Sequence, residues 1–230
     1  MHRGRRLTSE SRLTRAAGVH SKSPYELELG EAMRGLDPRL RTYFSAIPDG
    51  MEGYGEGVFT VVGTPRRWLW PMLSILGRQG VLFPGWHTDV PFTVLNEPVV
   101  DADGGVAVNA RRTFRFPGGE RAMVDAITFD GRDLVDHLGT ARRYVATLIP
   151  HIEDDALTLR SSGIAVRLGR RHVPVPRGMA PRVVLTERFD DVTGRQHVTV
   201  TLAAPLVGQL YVYAGSFEYA LRSVHAGAQS

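Results

Sequence analysis

Cysteine is absent from the 230 residues of this chain, and only one of its 28 basic residues is a lysine. The absence of cysteine excludes disulfide bonds, thiolate metal sites and a cysteine nucleophile, and it fits a reducing cytoplasm. The chain also lacks a run of 18 apolar residues, so we expect no membrane-spanning helix. The shortage of lysine indicates a GC-rich bacterial genome rather than a particular function.

The motifs of common cofactor and hydrolase sites are missing as well. No Gly-Lys-Ser/Thr follows the glycine-rich run from Gly53 to Gly57, and no Gly-x-Ser-x-Gly occurs in the chain. The eight histidines show no metal-ligand spacing, and the acidic stretch 151–155 is interpreted as a solvent-exposed turn. We therefore expect neither a metal nor a cofactor.

Positive charge is concentrated at the beginning of the chain. Residues 1–23 contain six basic residues and one acidic residue, whereas the remainder contains 22 and 23, a net charge of −1. A nearly neutral body does not favour nucleic-acid binding. We interpret residues 1–22 as a disordered leader or as the product of an upstream start site. No apolar segment follows Arg5-Arg6, so we expect the protein to remain in the cytoplasm.

Three helices are predicted in the first 80 residues. Ser23-Pro24-Tyr25-Glu26 is a capping-box pattern, and Asp37-Pro38 begins a second helix in a similar way. A third helix is predicted over 66–78, where we expect Pro71 to introduce a kink.

The region around the third helix holds all three tryptophans, Trp68, Trp70 and Trp86. One interpretation is a core helix with its exit loop. The alternatives are a lid over an apolar cavity, or a patch that rests on a membrane surface.

From about residue 91 the apolar pattern changes to a period of two, which is typical of β-strands. A further strand is predicted at 58–62, and the glycine-rich run before it is interpreted as a turn or a bulged strand. The fold class is therefore α+β, with N-terminal helices packed on a large curved antiparallel sheet or barrel, either calycin-like or helix-grip-like. We expect one domain over 23–220 and a flexible tail over 221–230. The predicted strands are 91–100, 105–116, 120–129, 134–138, 142–149, 155–160, 163–168, 171–175, 182–189, 196–202 and 208–219.

Two hairpins can be aligned from their turn residues. Around Gly118-Gly119 we predict that Phe116 pairs with Arg121, which places Arg112 opposite Asp125. A second hairpin is predicted around Ser161-Ser162. A slip of one residue in either register would move every side chain to the other face of the sheet.

Three charged residues, Arg112, Asp125 and Glu187, occupy positions in otherwise apolar stripes. A lone buried charge is costly, so these groups should be paired or should bind something polar. Two interpretations stay open: an internal ion-pair network that fixes strand register, or a polar anchor in an apolar ligand pocket. In the second case the arginine would bind a carboxylate or enolate oxygen, and a carboxylate could act as a base.

Aromatic residues supply the remaining candidates for a ligand site. Trp86 and His87 end the aromatic loop, although a lone loop histidine is usually a surface residue or a local hydrogen-bond partner. Tyr211 and Tyr213 share one face of the last strand with Phe217 and Tyr219. That stripe is either a packed aromatic ladder or one wall of a cavity.

Several segments match the pattern of a known family. They are Ser23 to Leu36, Leu36-Asp37-Pro38-Arg39-Leu40-Arg41, Gly55-Glu56-Gly57 with Val58 to Gly63, Arg112-Thr113-Phe114 before Pro117-Gly118-Gly119, Val175-Pro176 with Met179-Ala180-Pro181 and Glu187, and Pro205 to Leu210 with Tyr213-Ala214-Gly215. Through these segments the chain resembles the bacterial family known as domain of unknown function 4166 over roughly residues 23–220. The segment around Arg112 lacks the tryptophan expected there. The resemblance implies no assigned activity and no catalytic residue, and fusion of some members to oxidoreductase-type domains implies small-molecule or lipid metabolism.

These features together predict a protein that binds an apolar small molecule of the lipid, polyketide or isoprenoid class in the cavity of a curved sheet. An alternative is a cofactor-independent cyclase or isomerase that acts on such a ligand, because these reactions depend on positioning and charge stabilisation. A third hypothesis is an accessory module of an oxidoreductase system.

Overall fold

The computed structural model describes residues 14–15, 22–100, 105–169, 171–205 and 207–224. Three short α-helices are present: α1 (Pro24–Leu29), α2 (Pro38–Phe44) and α3 (Trp70–Arg78), with 3-10 turns at Gly30–Gly35 and Arg67–Leu69. Strands make up most of the remainder. They are β1 (Thr14–Arg15), β2 (Met51–Gly63), β3 (Trp86–Val100), β4 (Val106–Phe116), β5 (Gly119–Phe129), β6 (Leu134–Leu138), β7 (Tyr144–Glu153), β8 (Ala156–Leu168), β9 (Arg171–Pro174), β10 (Arg182–Asp190), β11 (Arg195–Ala204) and β12 (Gly208–Ser223).

Ten of the strands form a closed antiparallel barrel in the order β3-β2-β12-β11-β10-β8-β7-β6-β5-β4, and β4 returns to pair with β3. Closure leaves no free strand edge within the ring, which is how an all-antiparallel sheet satisfies its backbone hydrogen bonds. The short strand β9 pairs with β8 outside the ring. The prediction of a large antiparallel sheet is confirmed. Of the two alternatives, an open curved sheet or a barrel, the structure shows the closed barrel.

The predicted domain boundaries differ slightly from the observed elements. Thr14–Arg15 lies within the predicted leader and pairs with Val99 and Val100 of β3. At the other end β12 continues to Ser223, three residues beyond the predicted limit. The rest of the predicted leader, up to residue 21, and residues 225–230 of the predicted tail lie outside the described residues.

The N-terminal helices begin where the sequence places them. The side chain of Ser23 accepts a hydrogen bond from the backbone of Glu26, whose carboxylate accepts one from Ser23, so the predicted capping box is present. Asp37 caps α2 in the predicted way. The kink expected at Pro71 is absent, because α3 begins at Trp70 and proline is tolerated in a first helical turn.

Antiparallel strands place successive connections at alternate ends of the barrel. The "α3 end" carries the connections 64–85, 117–118, 139–143 and 175–181, because the neighbouring strands are paired there, as Gly63 with Trp86 and Phe116 with Gly119. The opposite "N-terminal end" carries 130–133, 154–155 and 191–194, and α1 and α2 contact the sheet there through β5 and β10.

Both predicted hairpins need correction. Phe116 pairs with Gly119, two positions from the predicted register. A Gly-Gly type I′ turn requires a positive φ at both glycines, but of the two only Gly119 has one, at 111°. Pro117 and Gly118 form the loop instead, and the fixed negative φ of proline suits its first position. A two-residue shift keeps every side chain on its predicted face. The Ser161-Ser162 hairpin was wrong: 156–168 is one continuous strand, and the pairing with β7 skips Ser162 as a bulge.

The glycine-rich run lies in β2 rather than in a turn. Gly53, Gly55 and Gly57 alternate on the inner face, which leaves that face without side chains. Aromatic side chains of β12 occupy the space, and a Cβ built on Gly57 would lie 2.1 Å from the backbone oxygen of Ser216. The glycines are therefore required for close approach of β12 to β2.

The interior of the barrel has two unequal halves. The "aromatic half", on β2, β3, β4 and β12, is filled by closely packed rings. Phe59 stacks on Phe92 with ring centroids 3.9 Å apart and lies 5.2 Å from Phe114, and Leu69 and Leu73 pack on the same cluster. The "cavity half", on β5 to β8, β10 and β11, carries mainly aliphatic side chains and encloses unfilled space.

Candidate functional site

The cavity has a volume of about 120 Å³ and lies within the cavity half of the barrel. It extends from the segment Gly80–Leu82, which follows α3, to the aromatic rings of Tyr25 and Tyr43 on the N-terminal helices. Most of its wall is aliphatic, and four ionisable side chains interrupt it. The wall is formed by Tyr25, Tyr43, Gly80, Val81, Leu82, Arg112, Met123, Val124, Asp125, Ile127, Asp136, Leu138, Ala146, Leu148, Leu159, Val183, Leu185, Glu187, Val200, Leu202 and Tyr213.

Arg112 and Asp125 form an ion pair on this wall, with Nη1 of the guanidinium donating to Oδ1 of the carboxylate. They are diagonal neighbours, since Arg112 pairs directly with Met123, and Asp125 with Ala110. Their side chains are only 14% and 10% exposed. Burial is the largest single influence and would lower the pKa of Arg112. The carboxylate of Asp125, together with Tyr213, Tyr43 and Glu187, outweighs burial and raises that pKa well above its ordinary value.

Glu187 reaches the cavity from the opposite side of the barrel, on β10. It is 2% exposed, and the side-chain amide of Gln196 on β11 donates a hydrogen bond to its Oε2. Burial raises the pKa of Glu187 to about 7, against the opposing influence of Arg112 and the hydrogen bond. A carboxyl group with this pKa is present in both protonation states near neutral pH, as a general acid or base needs to be.

Asp136 on β6 is a wall residue that the sequence analysis missed. Its Oδ1 atom is buried and has no hydrogen-bond partner among the described residues. Burial and the nearby charge of Asp125 raise its pKa well above the ordinary value, which favours the protonated form of the group. Asp136 lies between Leu134 and Leu138 at a spacing of two, so the parity rule that selected Asp125 would have found it.

The charge balance of the cavity follows from these neighbours. Arg112 can neutralise one carboxylate, and that carboxylate is Asp125, with which it is in direct contact. For Asp136 and Glu187, burial outweighs the opposing influence of Arg112, so both favour the protonated form. The wall therefore offers an ion pair and two further carboxyl groups with raised pKa values in an aliphatic setting.

Three tyrosines line the same space. Tyr25 and Tyr43 come from α1 and α2, and no strand-based pattern could have placed them at the barrel wall. Tyr213 comes from β12, and its ring lies 5.3 Å from Phe59 at the border with the aromatic half. Burial raises the pKa of all three, so they remain hydrogen-bond donors at any physiological pH.

The structure therefore brings together four of the seven predicted site residues: Arg112, Asp125, Glu187 and Tyr213. The other three lie elsewhere. Tyr211 is buried in the aromatic half, where its hydroxyl accepts a 3.4 Å hydrogen bond from the backbone of Phe83.

Trp86 and His87 begin β3 instead of ending a loop. The Trp86 residue is 46% exposed. His87 packs its ring 4.7 Å from that of Phe116 and places Nε2 3.4 Å from the carbonyl oxygen of Pro84. Neither residue lines the cavity, so the structure does not bring them together with Arg112.

The fold and the site together define a closed antiparallel β-barrel protein with a charged internal cavity. The sequence profile of the family described as domain of unknown function (DUF4166) matches residues 36–217, and the chain belongs to that family. No match to the chain is found among curated proteins or among solved structures.

Two further observations concern the chemistry available to the protein. Within the described residues, no group of three or more histidine, aspartate and glutamate side chains is arranged to hold a metal ion. None of the helices described is both long and apolar enough to cross a membrane.

Proposed function

We propose that the barrel binds a small, largely apolar molecule that carries a polar group, with the apolar part against the aliphatic wall and the polar group at Arg112. The observation that supports this most strongly is the cavity wall itself, in which a few polar groups converge in an apolar setting. That combination is typical of small-ligand sites. In architecture the proposal corresponds to a calycin-like barrel. A helix-grip fold needs a long helix packed across the sheet, whereas the longest described helix, α3, has only nine residues.

The cavity volume limits what fits inside it. About 120 Å³ is slightly less than a cavity of roughly 150 Å³ that accepts benzene, and well below the roughly 300 Å³ at which sites for drug-sized ligands begin. A lipid, polyketide or isoprenoid would therefore place one end in the cavity. The rest of such a molecule would extend past Gly80–Leu82, which lines the wall nearest α3.

Native mass spectrometry of the protein purified from its source tests this proposal. We expect a bound molecule in the wild type and loss of that molecule in the double variant Arg112→Met/Asp125→Leu, which removes the ion pair but keeps the volume. The matched control is Arg195→Met/Glu218→Leu, which removes an exposed ion pair of 2.7 Å by the same substitutions. Absence of any ligand from the wild type, or equal retention in both double variants, would contradict the proposal.

A second candidate function is cofactor-independent proton transfer, as in an isomerase or cyclase. The specific observation that favours it is a pair of carboxyl groups on one cavity wall with raised pKa values: that of Glu187 is about 7, and that of Asp136 lies well above its ordinary value. Two such groups in one site can act as base and acid on the same ligand.

Deuterium exchange distinguishes this enzyme from a passive carrier. The molecule released from the purified protein is incubated in D₂O with the wild type and then analysed by mass spectrometry. An enzyme of this class exchanges carbon-bound protons of the ligand, and Glu187→Gln lowers the exchange rate at least tenfold. Exchange that is absent, or that is equal with Glu187→Gln, would leave only the binding function.

A further inference from the structure

The outer surface of α3 and of the turn before it carries three exposed apolar side chains. Trp68, Met72 and Ile75 are 63%, 51% and 56% exposed, and their spacing of four and three residues places them on one helical face. Leu69 and Leu73 bury the adjacent face against the aromatic half of the barrel. Exposed large apolar side chains at this spacing mark an interaction surface.

The α3 end is also the basic end of the molecule. Its connections 64–85, 117–118, 139–143 and 175–181 contain six arginines and no aspartate or glutamate. Arg67 and Arg78 are exposed and flank the apolar face at its two limits. Arg66 is engaged with the carbonyl oxygens of Val207 and Gln209 and holds the connection in place. The six are Arg66, Arg67, Arg78, Arg142, Arg143 and Arg177.

The opposite end of the barrel has the opposite charge. Connections 130–133, 154–155 and 191–194 contain five acidic residues and a single arginine, Arg132. The nearly neutral charge of the body therefore conceals two ends of opposite sign. A molecule with this distribution is oriented by a negatively charged surface, with the α3 end towards it.

We propose that the α3 end docks on an anionic lipid bilayer, with Trp68, Met72 and Ile75 in the boundary between headgroups and acyl chains. Interfacial helices combine an apolar face with arginines that reach the phosphate level, and each basic residue near such a surface adds about 1 kcal/mol. Nucleic acid would match the arginines but would leave the apolar face without a partner. The inference does not rest on the proposed function, because docking requires nothing in the cavity.

Cosedimentation of the full chain with lipid vesicles tests the proposal. The vesicles are phosphatidylcholine with about one-third phosphatidylserine, compared with pure phosphatidylcholine. We expect binding only to the anionic vesicles. Arg67→Gln/Arg78→Gln weakens it about 30-fold, from roughly 1 kcal/mol per arginine. The control Arg34→Gln/Arg132→Gln makes the same charge change at the N-terminal end, where both side chains are exposed, and stays within about twofold of the wild type.

The apolar face is tested separately. Trp68→Ser/Met72→Gln/Ile75→Gln weakens binding at least tenfold and keeps the wild-type circular dichroism spectrum, because all three side chains are exposed. The control Val192→Gln changes a side chain that is 94% exposed at the N-terminal end and has no effect.

Three results would overturn the proposal. The first is a wild type that does not cosediment with anionic vesicles. The second is vesicle binding that survives in the triple variant, which would assign it to the basic residues before Ser23. The third is release of the wild type from vesicles by a single-stranded oligonucleotide that also binds the triple variant at full strength, which would make the α3 end a nucleic-acid site.

Discussion

The aromatic half and the cavity half of the barrel are built from strands of the same sheet, yet one is closely packed and the other encloses unfilled space. In the aromatic half, glycines on β2 admit the rings of β12, and Phe59, Phe92 and Phe114 pack at ring-centroid distances of 3.9 to 6.2 Å. In the cavity half, the aliphatic side chains leave an unfilled cavity between them, and four ionisable groups lie on its wall. Close packing makes the aromatic half stabilising. The cavity half is less stable, because it contains unfilled space and buried ionisable groups.

The largest effect is expected for Phe59→Ala in the aromatic half. Removal of a fully buried ring that contacts three other rings should lower the free energy of unfolding by about 4 kcal/mol. Leu148→Ala on the cavity wall should cost less, roughly 2 kcal/mol, because its side chain already borders empty space. Urea denaturation measures both values. Equal losses of unfolding free energy in the two variants would contradict the difference in packing between the halves.

Arg112→Met is expected to have the next largest effect. It leaves the buried carboxylate of Asp125 without its cation, at a cost of about 3 kcal/mol. Asp125→Leu added to it should recover most of that loss, because an apolar pair of similar volume needs no counter-charge. A double variant as unstable as Arg112→Met alone would show that the ion pair holds the barrel together rather than serving the cavity.

The dependence of stability on pH should differ between the wild type and Glu187→Gln. A carboxyl group with a folded-state pKa of about 7, raised from 4.5, binds its proton more tightly when folded, so stability decreases as pH rises from about 4.5 to 7. Deprotonation should cost at most about 3 kcal/mol, at 1.36 kcal/mol per pKa unit. Asp136 contributes in the same direction.

Urea midpoints measured between pH 4 and pH 8 give this slope. Glu187→Gln should flatten it, whereas Glu56→Gln, on an exposed residue, should leave it as in the wild type. An unchanged slope in Glu187→Gln would mean that the carboxyl group is not held in an apolar wall.

The smallest effect is expected for a substitution that fills the cavity. Val200 lines it, so Val200→Phe should change stability by less than about 1 kcal/mol. The same change at Val94, which is 1% exposed in the aromatic half, should destabilise by roughly 2 kcal/mol through overpacking. Denaturation curves of the two variants provide the comparison, and equal losses would argue against space beside Val200.

Much of the architecture could be predicted because it depends on local chemistry. The capping box at Ser23 and the period-two stripes from residue 91 fix the starts of helices and the faces of strands without reference to the rest of the chain. Parity alone placed Arg112, Asp125 and Glu187 inside, and the same rule applied to Asp136 would have extended the set.

The prediction failed where a local pattern has more than one outcome. Ser161-Ser162 is acceptable in a turn or in a bulge, and only the partner strand β7 selects the bulge. Trp86 and His87 are close in sequence to the aromatic helix, but Trp86 pairs with Gly63 in the ladder at the barrel rim, away from the cavity wall.

The sequence by itself determined which side chains face inward, because strand alternation and helix capping act over a few residues. Only the tertiary structure decided which inward side chains meet, because closure of ten strands brings β10 opposite β4 and β5 across the barrel. The same closure sorted the connections into a basic and an acidic end, a separation that the nearly neutral net charge conceals. Contacts between residues far apart in the chain depend on the path of the whole backbone, and no local pattern encodes that path.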